Sequence, residues 1–368
     1  MTTAFVPANP AAPGRFAAAE RVLAEAIADR AFPGCAFGVL AGGEVVLEGA
    51  LGRFTYEADA PAVTAGSVFD LASLTKVVAT TATAMLLQQS GRLDLDAPVG
   101  KLLPGFVAGR PLDDPAHRLT LRHLLAHNSG LPGYVELFRS ASTPDELLAA
   151  CLRLPLEAEP GARAEYSDPG FILLGKALET VTGEALDVWA DRNVFSPLEM
   201  PATGFRPAAA ERSSIPPTEL DSGFRHRRIQ GEVQDENAWV LGGVAGHAGL
   251  FSNVIDLLRF SGAILNRGTG AETRPFLPET VRLFAQRQEP AGSTRAIGWD
   301  TPSATSSSGK HFSARSIGHL GYSGCSLWID LEAEVAVVLL TNRTWPDRQN
   351  QQIKAVRPAF HDAIREVV

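Results

Sequence analysis

Ser73-Leu74-Thr75-Lys76 puts a hydroxyl and an amine three residues apart at the start of an apolar run, Leu74 to Gln89, just after Phe69-Asp70-Leu71-Ala72. On a helix, residues three apart share a face, so Lys76 can reach back one turn to the Ser73 hydroxyl. A serine at a helix start also sits in the positive end of the helix dipole, which favours an oxyanion. A nucleophile, a base and a favourable field therefore fall within four residues. Lysine is scarce here, five against 28 arginines, so one set among Val77, Val78 and Ala79 reads as placed and not as surface filler. The pattern alone is weak, since a Ser-x-x-Lys match arises about once by chance in a chain this long. A second match, Ser307-Ser308-Gly309-Lys310, lies in a Ser/Thr/Gly-rich loop and reads as solvated. Taken alone, Ser73 could equally be a helix cap beside a surface lysine.

Two further groups change that weighting. Tyr166-Ser167-Asp168 sits in a turn before the helical pattern from Gly170. A phenol beside an ammonium is expected to have a lowered pKa and to serve as acid or base. Asp168 could hold the lysine charge or a substrate amide. The bland alternative is a half-buried tyrosine with Asp168 as helix cap. The third group is His319-Leu320-Gly321, followed by Tyr322-Ser323-Gly324 and a strand. Gly321 would let a substrate approach a strand edge, and the Tyr322 N–H could join that of Ser73 as an oxyanion hole. A glycine-rich hairpin with a surface histidine is the competing reading.

The elements that must position these groups are legible in outline. Phe16 to Ala31 has an amphipathic helical pattern, stopped by Phe32-Pro33-Gly34. Strands are predicted at Cys35 to Leu40 and Glu44 to Gly49, joined at Gly42-Gly43. The middle of the chain predicts helices at Leu121 to Ala126, Pro144 to Leu152, Gly170 to Thr182 and Ala185 to Asn193. Strands return at Cys325 to Asp330 and Glu334 to Thr341, and a last helix runs over about Gln349 to Val367. Strands at both ends around a helical middle imply one antiparallel sheet closed by both termini and flanked by the terminal helices. The expected organisation is α+β: an α/β subdomain of about 1–65 and 290–368, and a mainly helical one of about 66–289, within one catalytic unit.

Composition sets limits. A chain of 368 residues that is 45% hydrophobic can bury a large core. A net charge of -8 leaves no electrostatic footprint for nucleic acid. Arg225-His226-Arg227-Arg228 is the one basic cluster and reads as a solvated turn. No apolar run is long enough to span a membrane. Met1 to Arg15 lacks the basic and apolar regions of an export signal, which favours a cytoplasmic protein, or a periplasmic one if a signal has been removed. Cys35, Cys151 and Cys325 are far apart and odd in number, so they read as reduced and buried.

In their order along the chain, the three groups resemble the serine β-lactamase and penicillin-binding protein superfamily, and most its class C-like branch with D-Ala-D-Ala carboxypeptidases and family VIII carboxylesterases. The resemblance extends to Leu124-Leu125-Ala126-His127-Asn128-Ser129-Gly130-Leu131-Pro132, Gly246-His247-Ala248-Gly249-Leu250-Phe251-Ser252, Gly321 to Asp330 and Leu340-Thr341-Asn342-Arg343. It implies a β-lactamase/transpeptidase-like fold, acylation of Ser73, and proton transfer shared by Lys76 and Tyr166. It implies no cofactor and no metal. His319 stands where true β-lactamases commonly carry lysine, Leu320 replaces a threonine hydroxyl, and Asp168 replaces an asparagine. These departures point away from strong β-lactamase activity.

Other patterns carry less. His123 and His127 are four apart but lack the glutamate of a zinc-protease motif, so one inward and one capping histidine are expected. Gly321-Tyr322-Ser323-Gly324 is no nucleophile elbow, because Cys325 takes the final glycine's place. Asp235-Glu236-Asn237 reads as a loop bordering the cleft, and Trp239 as either a pocket wall or core filler. The expected function is hydrolysis of small esters or amides through an acyl-enzyme, with Gly321, Tyr322, His319 and Asp168 binding substrate. A D-Ala-D-Ala peptidase or weak β-lactamase, an acyltransferase, and a non-catalytic binding protein are the alternatives. The partner is a small-molecule ester, amide or β-lactam, with neither nucleic acid nor membrane; the oligomeric state is open.

Overall fold

The structure, a computed structural model, describes residues 14–266 and 275–368. The stretch Met1 to Arg15, read above for an export signal, lies almost wholly outside them. Five strands form one antiparallel sheet: β1 (Gly34–Ala41), β2 (Glu44–Gly52), β3 (Ser316–Leu320), β4 (Ser326–Asp330) and β5 (Val335–Thr341). Their spatial order is β2-β1-β5-β4-β3. The seam between β1 and β5 runs from Cys35 opposite Thr341 to Ala41 opposite Val335, so early and late strands of the chain share one ladder. The β1–β2 hairpin turns at Gly42 (φ 58°) and Gly43 (φ 89°), the left-handed pair that such two-residue turns require.

The longer helices are α1 (Ala17–Ala28), α2 (Ala82–Gln89), α3 (Pro144–Leu152), α4 (Asp168–Thr182), α5 (Val254–Leu265) and α6 (Ile353–Arg365). Side chains along β1 alternate between two layers, as the period of a strand requires. Cys35, Phe37 and Val39 face α1 and α6, packing with Leu23, Phe360 and Ile364. Ala36 and Leu40 face the other way, into a larger core shared with Val254, Leu258 and the helical middle of the chain. Gly38 lets α5 lie against the sheet, since a Cβ there would sit 2.5 Å from a Val254 methyl. This is the α+β arrangement expected, with helices on both faces of the sheet. Among the described residues, no helix is long and apolar enough to cross a membrane.

Four readings need correction. The run Leu74 to Gln89 is not one helix: a 3₁₀ turn at Ala72–Leu74 leads into a π-helical turn at Lys76–Thr81 and then α2. Strand β3 is absent from the sequence expectation, because Ser316-Ile317-Gly318-His319-Leu320 shows no alternation. Its glycine is there for packing, as a Cβ on Gly318 would meet the Trp328 ring at 2.3 Å. The basic cluster is not all solvated: the Arg225 side chain is buried and paired with Asp221 at 2.8 Å, while Arg227 and Arg228 are exposed. The second Ser-x-x-Lys is docked on α6, with the Ser307 carbonyl accepting from His361 and the Lys310 N–H donating to Asp362. All three cysteines are free and buried, as expected.

The packing of α6 is testable at Phe360, which is fully buried and meets Phe37 edge-on at 5.9 Å. Phe360→Ala should lower unfolding free energy by about 3–5 kcal/mol in a denaturant titration.

Candidate active site

The segment carrying Ser73 is fastened from both sides. Phe69–Asp70 pairs with Leu250–Ser252 as a short antiparallel ladder. The Asp70 carboxylate, almost fully buried, accepts the N–H of Ala72 at 2.8 Å and that of Gln234 at 2.7 Å. Its carbonyl accepts the Ser323 hydroxyl at 2.8 Å. Burial pushes the Asp70 carboxyl up to about 6, with the two N–H groups opposing. Ala72 is left-handed (φ 47°), a conformation that a non-glycine residue holds only where its surroundings impose it. The resulting sharp turn presents Ser73 at the mouth of the helix.

Lys76 is completely buried. Its Nζ donates to Ser73 Oγ at 3.2 Å, Asp168 Oδ1 at 2.6 Å and the His247 carbonyl at 3.0 Å, which uses all three protons of an ammonium. Burial pulls its pKa down, but Asp168 and Tyr166 together outweigh burial and hold it above the ordinary lysine value. Lys76 therefore rests as a cation. Ser167, not Asp168, caps α4 by accepting the Gly170 N–H at 3.1 Å, which frees Asp168 for the lysine.

Tyr166 is aligned by the segment 127–133. His127 Nδ1 accepts the Ser167 N–H at 2.9 Å, the His127 carbonyl accepts that of Glu165 at 2.7 Å, and the Gly133 carbonyl accepts that of Asp168 at 2.9 Å. The His127 ring packs on Tyr166 with centroids 4.5 Å apart. The Tyr166 ring centroid lies 4.9 Å from Lys76 Nζ, and both Lys76 and Ser73 act on the phenol. Its pKa is raised, against the lowering expected from the sequence: burial dominates, Lys76 pulls down and Asp168 pushes up.

His319 is the last residue but one of β3 and is buried, with its ring 5.9 Å from that of Tyr166. The contact of Nδ1 with the Leu320 carbonyl at 2.9 Å places the proton on Nδ1, because a carbonyl can only accept. Nε2 has no partner among the described residues. Burial, then Lys76 and Arg295, hold His319 well below 6.5. It is neutral and not at the protein surface, so the surface-histidine reading falls. Gly321 lets the turn pack on the Ser73 segment: a Cβ there would lie 2.4 Å from the Leu71 carbonyl. Arg357 of α6 pins the following turn, donating to the carbonyls of Gly321 at 2.6 Å and Cys325 at 2.9 Å.

Ser73, Tyr166, Asp168 and Tyr322 line one cavity of about 340 Å³, with Tyr134, Asp235 and Glu236 also in its wall. The Asp235 loop thus borders the cleft as expected, whereas Trp239 neither lines it nor fills the core, being 39% exposed. A larger groove of about 850 Å³ near Pro61 and Phe205 shares none of these residues and has no lysine, histidine or tyrosine in its lining. Chemistry and not size identifies the site. Oxygens of Glu219, Asp221 and Glu236 come within 4.8 Å of one another. Arg225 and Arg348 already pair with them, so guanidinium groups fill the place a cation would take. His123 caps its helix through Thr120 and His127 points inward, as expected. Asp70, Gln234 and Arg357 carry no sequence signal, since only tertiary contacts give them roles.

The beta-lactamase family profile matches residues 19–358. A protein of Escherichia coli K12, named a candidate D-alanyl-D-alanine carboxypeptidase, is 33% identical over 305 residues, covering 76% of this chain and 70% of its own. An N-acetylmuramyl-L-alanine amidase of Bacillus subtilis 168 is 32% identical over 343 residues, covering 85% and 77%. In structure, EstCE1, a hydrolase with promiscuous acyltransferase activity, superposes with a TM-score of 0.75 at 23% identity, over 95% of this chain and 98% of that one. A penicillin-binding protein homologue from Caulobacter crescentus gives 0.77 at 18% identity, over 98% and 99%. The chain belongs to the beta-lactamase family, a superfamily of serine hydrolases, and has its fold.

Removing Asp168 strands a buried ammonium. Asp168→Ala should cost about 3 kcal/mol of stability, and the pair Lys76→Met with Asp168→Leu should regain most of it. Denaturant unfolding of the three proteins checks both statements.

Proposed function

We propose that this protein hydrolyses small carboxylic esters and amides through an acyl-Ser73 intermediate. The observation that carries the reading is the contact of Ser73 Oγ with Lys76 Nζ at 3.2 Å, with the Tyr166 ring 4.9 Å from that Nζ, at the wall of an open cavity. Ser73 Oγ attacks the carbonyl carbon and its proton passes to the Lys76–Tyr166 pair. The backbone N–H groups of Ser73 and Tyr322 receive the oxyanion. The pair returns a proton to the leaving group, and water, relieved of its proton through Tyr166, releases the acid. Asp168 keeps Lys76 charged and in place.

Substrate preference follows from the third motif. The neutral His319 and the aliphatic Leu320 offer no cation to a substrate carboxylate, so neutral esters are favoured over penicillins and cephalosporins. A D-Ala-D-Ala carboxypeptidase is the second reading, favoured by the likeness to the E. coli protein. Transfer to an alcohol or amine would use the same acyl-enzyme, and the structurally similar EstCE1 does combine hydrolysis with promiscuous acyl transfer.

The test compares kcat/KM for p-nitrophenyl butyrate and nitrocefin on one preparation, with fluorophosphonate labelling read by mass spectrometry. The ester should win by at least about tenfold, and Ser73→Ala should lose both turnover and label. A nitrocefin value equal to the ester value would favour a β-lactamase instead.

A pH profile tests the base. Lys76 and Tyr166 both lie above their ordinary values. The pair titrates as a unit, and its base form has one proton fewer, so that form is gained as pH rises. kcat/KM for the neutral ester should therefore climb from neutral pH to about pH 9, and Tyr166→Phe should flatten the climb and lower the rate by roughly two to four orders of magnitude.

A further inference from the structure

The Ser73 cavity carries more acid than the acyl chemistry uses. Glu136, Asp168, Asp235 and Glu236 line it, against one lining guanidinium, Arg348. Lys76 neutralises Asp168. Arg348 is divided between Glu236 and Glu219, so it balances neither alone. Glu136 meets the exposed Arg139, a pair that water screens. Asp235 is held by His247 Nε2 and by the Ala238 N–H, both at 2.8 Å, and keeps 21% of its side chain exposed. The negative field registers on neighbours. Burial first, then Asp235 and Glu236, push the Tyr134 phenol far above its usual range. Burial, with Asp235 adding and Arg348 opposing, raises Glu236.

An independent feature of the same wall points to a ligand. Gln234 lines the cavity and is only 3% exposed. Its N–H is bound by Asp70 and its Oε1 accepts the Thr344 hydroxyl at 3.3 Å. Its Nε2 has no hydrogen-bond partner among the described residues. A buried amide donor left unpaired costs about 1–3 kcal/mol, which a bound acceptor removes. Tyr134 and Tyr322, each about half exposed, flank the same opening and supply apolar faces.

We propose that this cavity selects acyl groups with a free amino end: short aminoacyl chains whose ammonium lies toward Asp235 and Glu136 and whose internal amide carbonyl accepts from Gln234 Nε2. The proposal rests on the reading of Ser73 as the acylated residue. It differs from a simple ester hydrolase in favouring a positive charge on the acyl side, and from a carboxypeptidase in placing recognition on an ammonium and not on a terminal carboxylate. Bond making and breaking are unchanged: the leaving amine takes its proton from the Lys76–Tyr166 pair.

Three probes share one frame and differ at one end: alanyl-alanine p-nitroanilide (cationic), its N-acetyl form (neutral) and its N-succinyl form (anionic), each in both chiralities. Binding is measured by NMR titration on Ser73→Ala, which needs no turnover, and hydrolysis on the intact enzyme. The cationic probe should bind about three- to tenfold more tightly than the neutral one, and the anionic probe most weakly. The spread should shrink as salt is raised. Asp235→Asn and Glu136→Gln should narrow the cationic–neutral gap, whereas Gln234→Leu should weaken all three probes alike. Equal affinities, tightest binding of the anionic probe, no detectable binding of any, or a gap untouched by Asp235→Asn and Glu136→Gln would overturn the proposal. If the binding order holds while the intact enzyme turns over none of the probes and no ester, the hydrolase reading fails and the selectivity stands.

Discussion

One buried ammonium sets the terms for this site. Taking a lysine cation out of water costs several kcal/mol unless oxygens replace the lost solvent. Lys76 finds them on three separate segments: the turn that carries it, the start of α4 at Asp168, and the carbonyl of His247. The last of these explains a glycine-rich stretch. Gly246 has no room for a side chain, since a Cβ would lie 2.1 Å from the Phe171 carbonyl, and its own carbonyl accepts from Thr80 at 2.7 Å. The loop therefore lies flush between the Lys76 turn and α4 and delivers His247 to the ion. A pair of this kind adds little net stability over well-packed apolar groups. Its value is positional, because the cation is satisfied in one arrangement only, and that arrangement also brings Tyr166 to Ser73.

Much of this was legible from residue order. Apolar runs bounded by turn signals located β1, β2, β4 and β5, and Ser73, Tyr166 and Asp168 do line one cavity together with Tyr322, the residue after the His-x-Gly group. What stayed hidden has a common cause. β3 owes its existence to pairing with β4, from Ser316 opposite Asp330 to Leu320 opposite Ser326, and not to any alternation of its own. Asp70 and Arg357 look like ordinary charged residues, and only the folded chain puts an N–H or a carbonyl before them. His127 reads from the sequence as an inward helix residue; it is inward but lies past the helix end with a left-handed backbone (φ 53°), and its acceptor nitrogen sets the backbone beside Tyr166.

The electrostatic corrections share a second cause. Neighbouring charge is readable from the sequence and burial is not. Beside Lys76, Tyr166 should have been acidified, but enclosure outweighs the lysine and the phenol keeps its proton. An ordinary imidazole carries part of a charge near neutral pH, but at His319 enclosure and two nearby cations remove it. The same competition ends the other way at Lys76, where carboxylate and phenol outweigh enclosure. Depth therefore decides protonation at the phenol and the imidazole, and loses at the amine, where two acidic partners act together.

The β1–β5 seam and the grip of Arg357 on the turn after β3 have a consequence for how the protein comes into being. Ser73 lies in the first quarter of the polypeptide, but the turn after β3 that completes its cavity is held by a helix near the far end. As a ribosome makes the chain, β1 and β2 emerge with one edge bare, and the nucleophile's turn has nothing to lean on. At roughly 5–20 residues per second, the wait for β5 and α6 lasts some tens of seconds. During that interval an apolar strand edge is open to wrong partners, a hazard for sheets built from distant segments. Activity should therefore switch on in one step, late in synthesis, and the nascent chain up to that point is the form most in need of a chaperone.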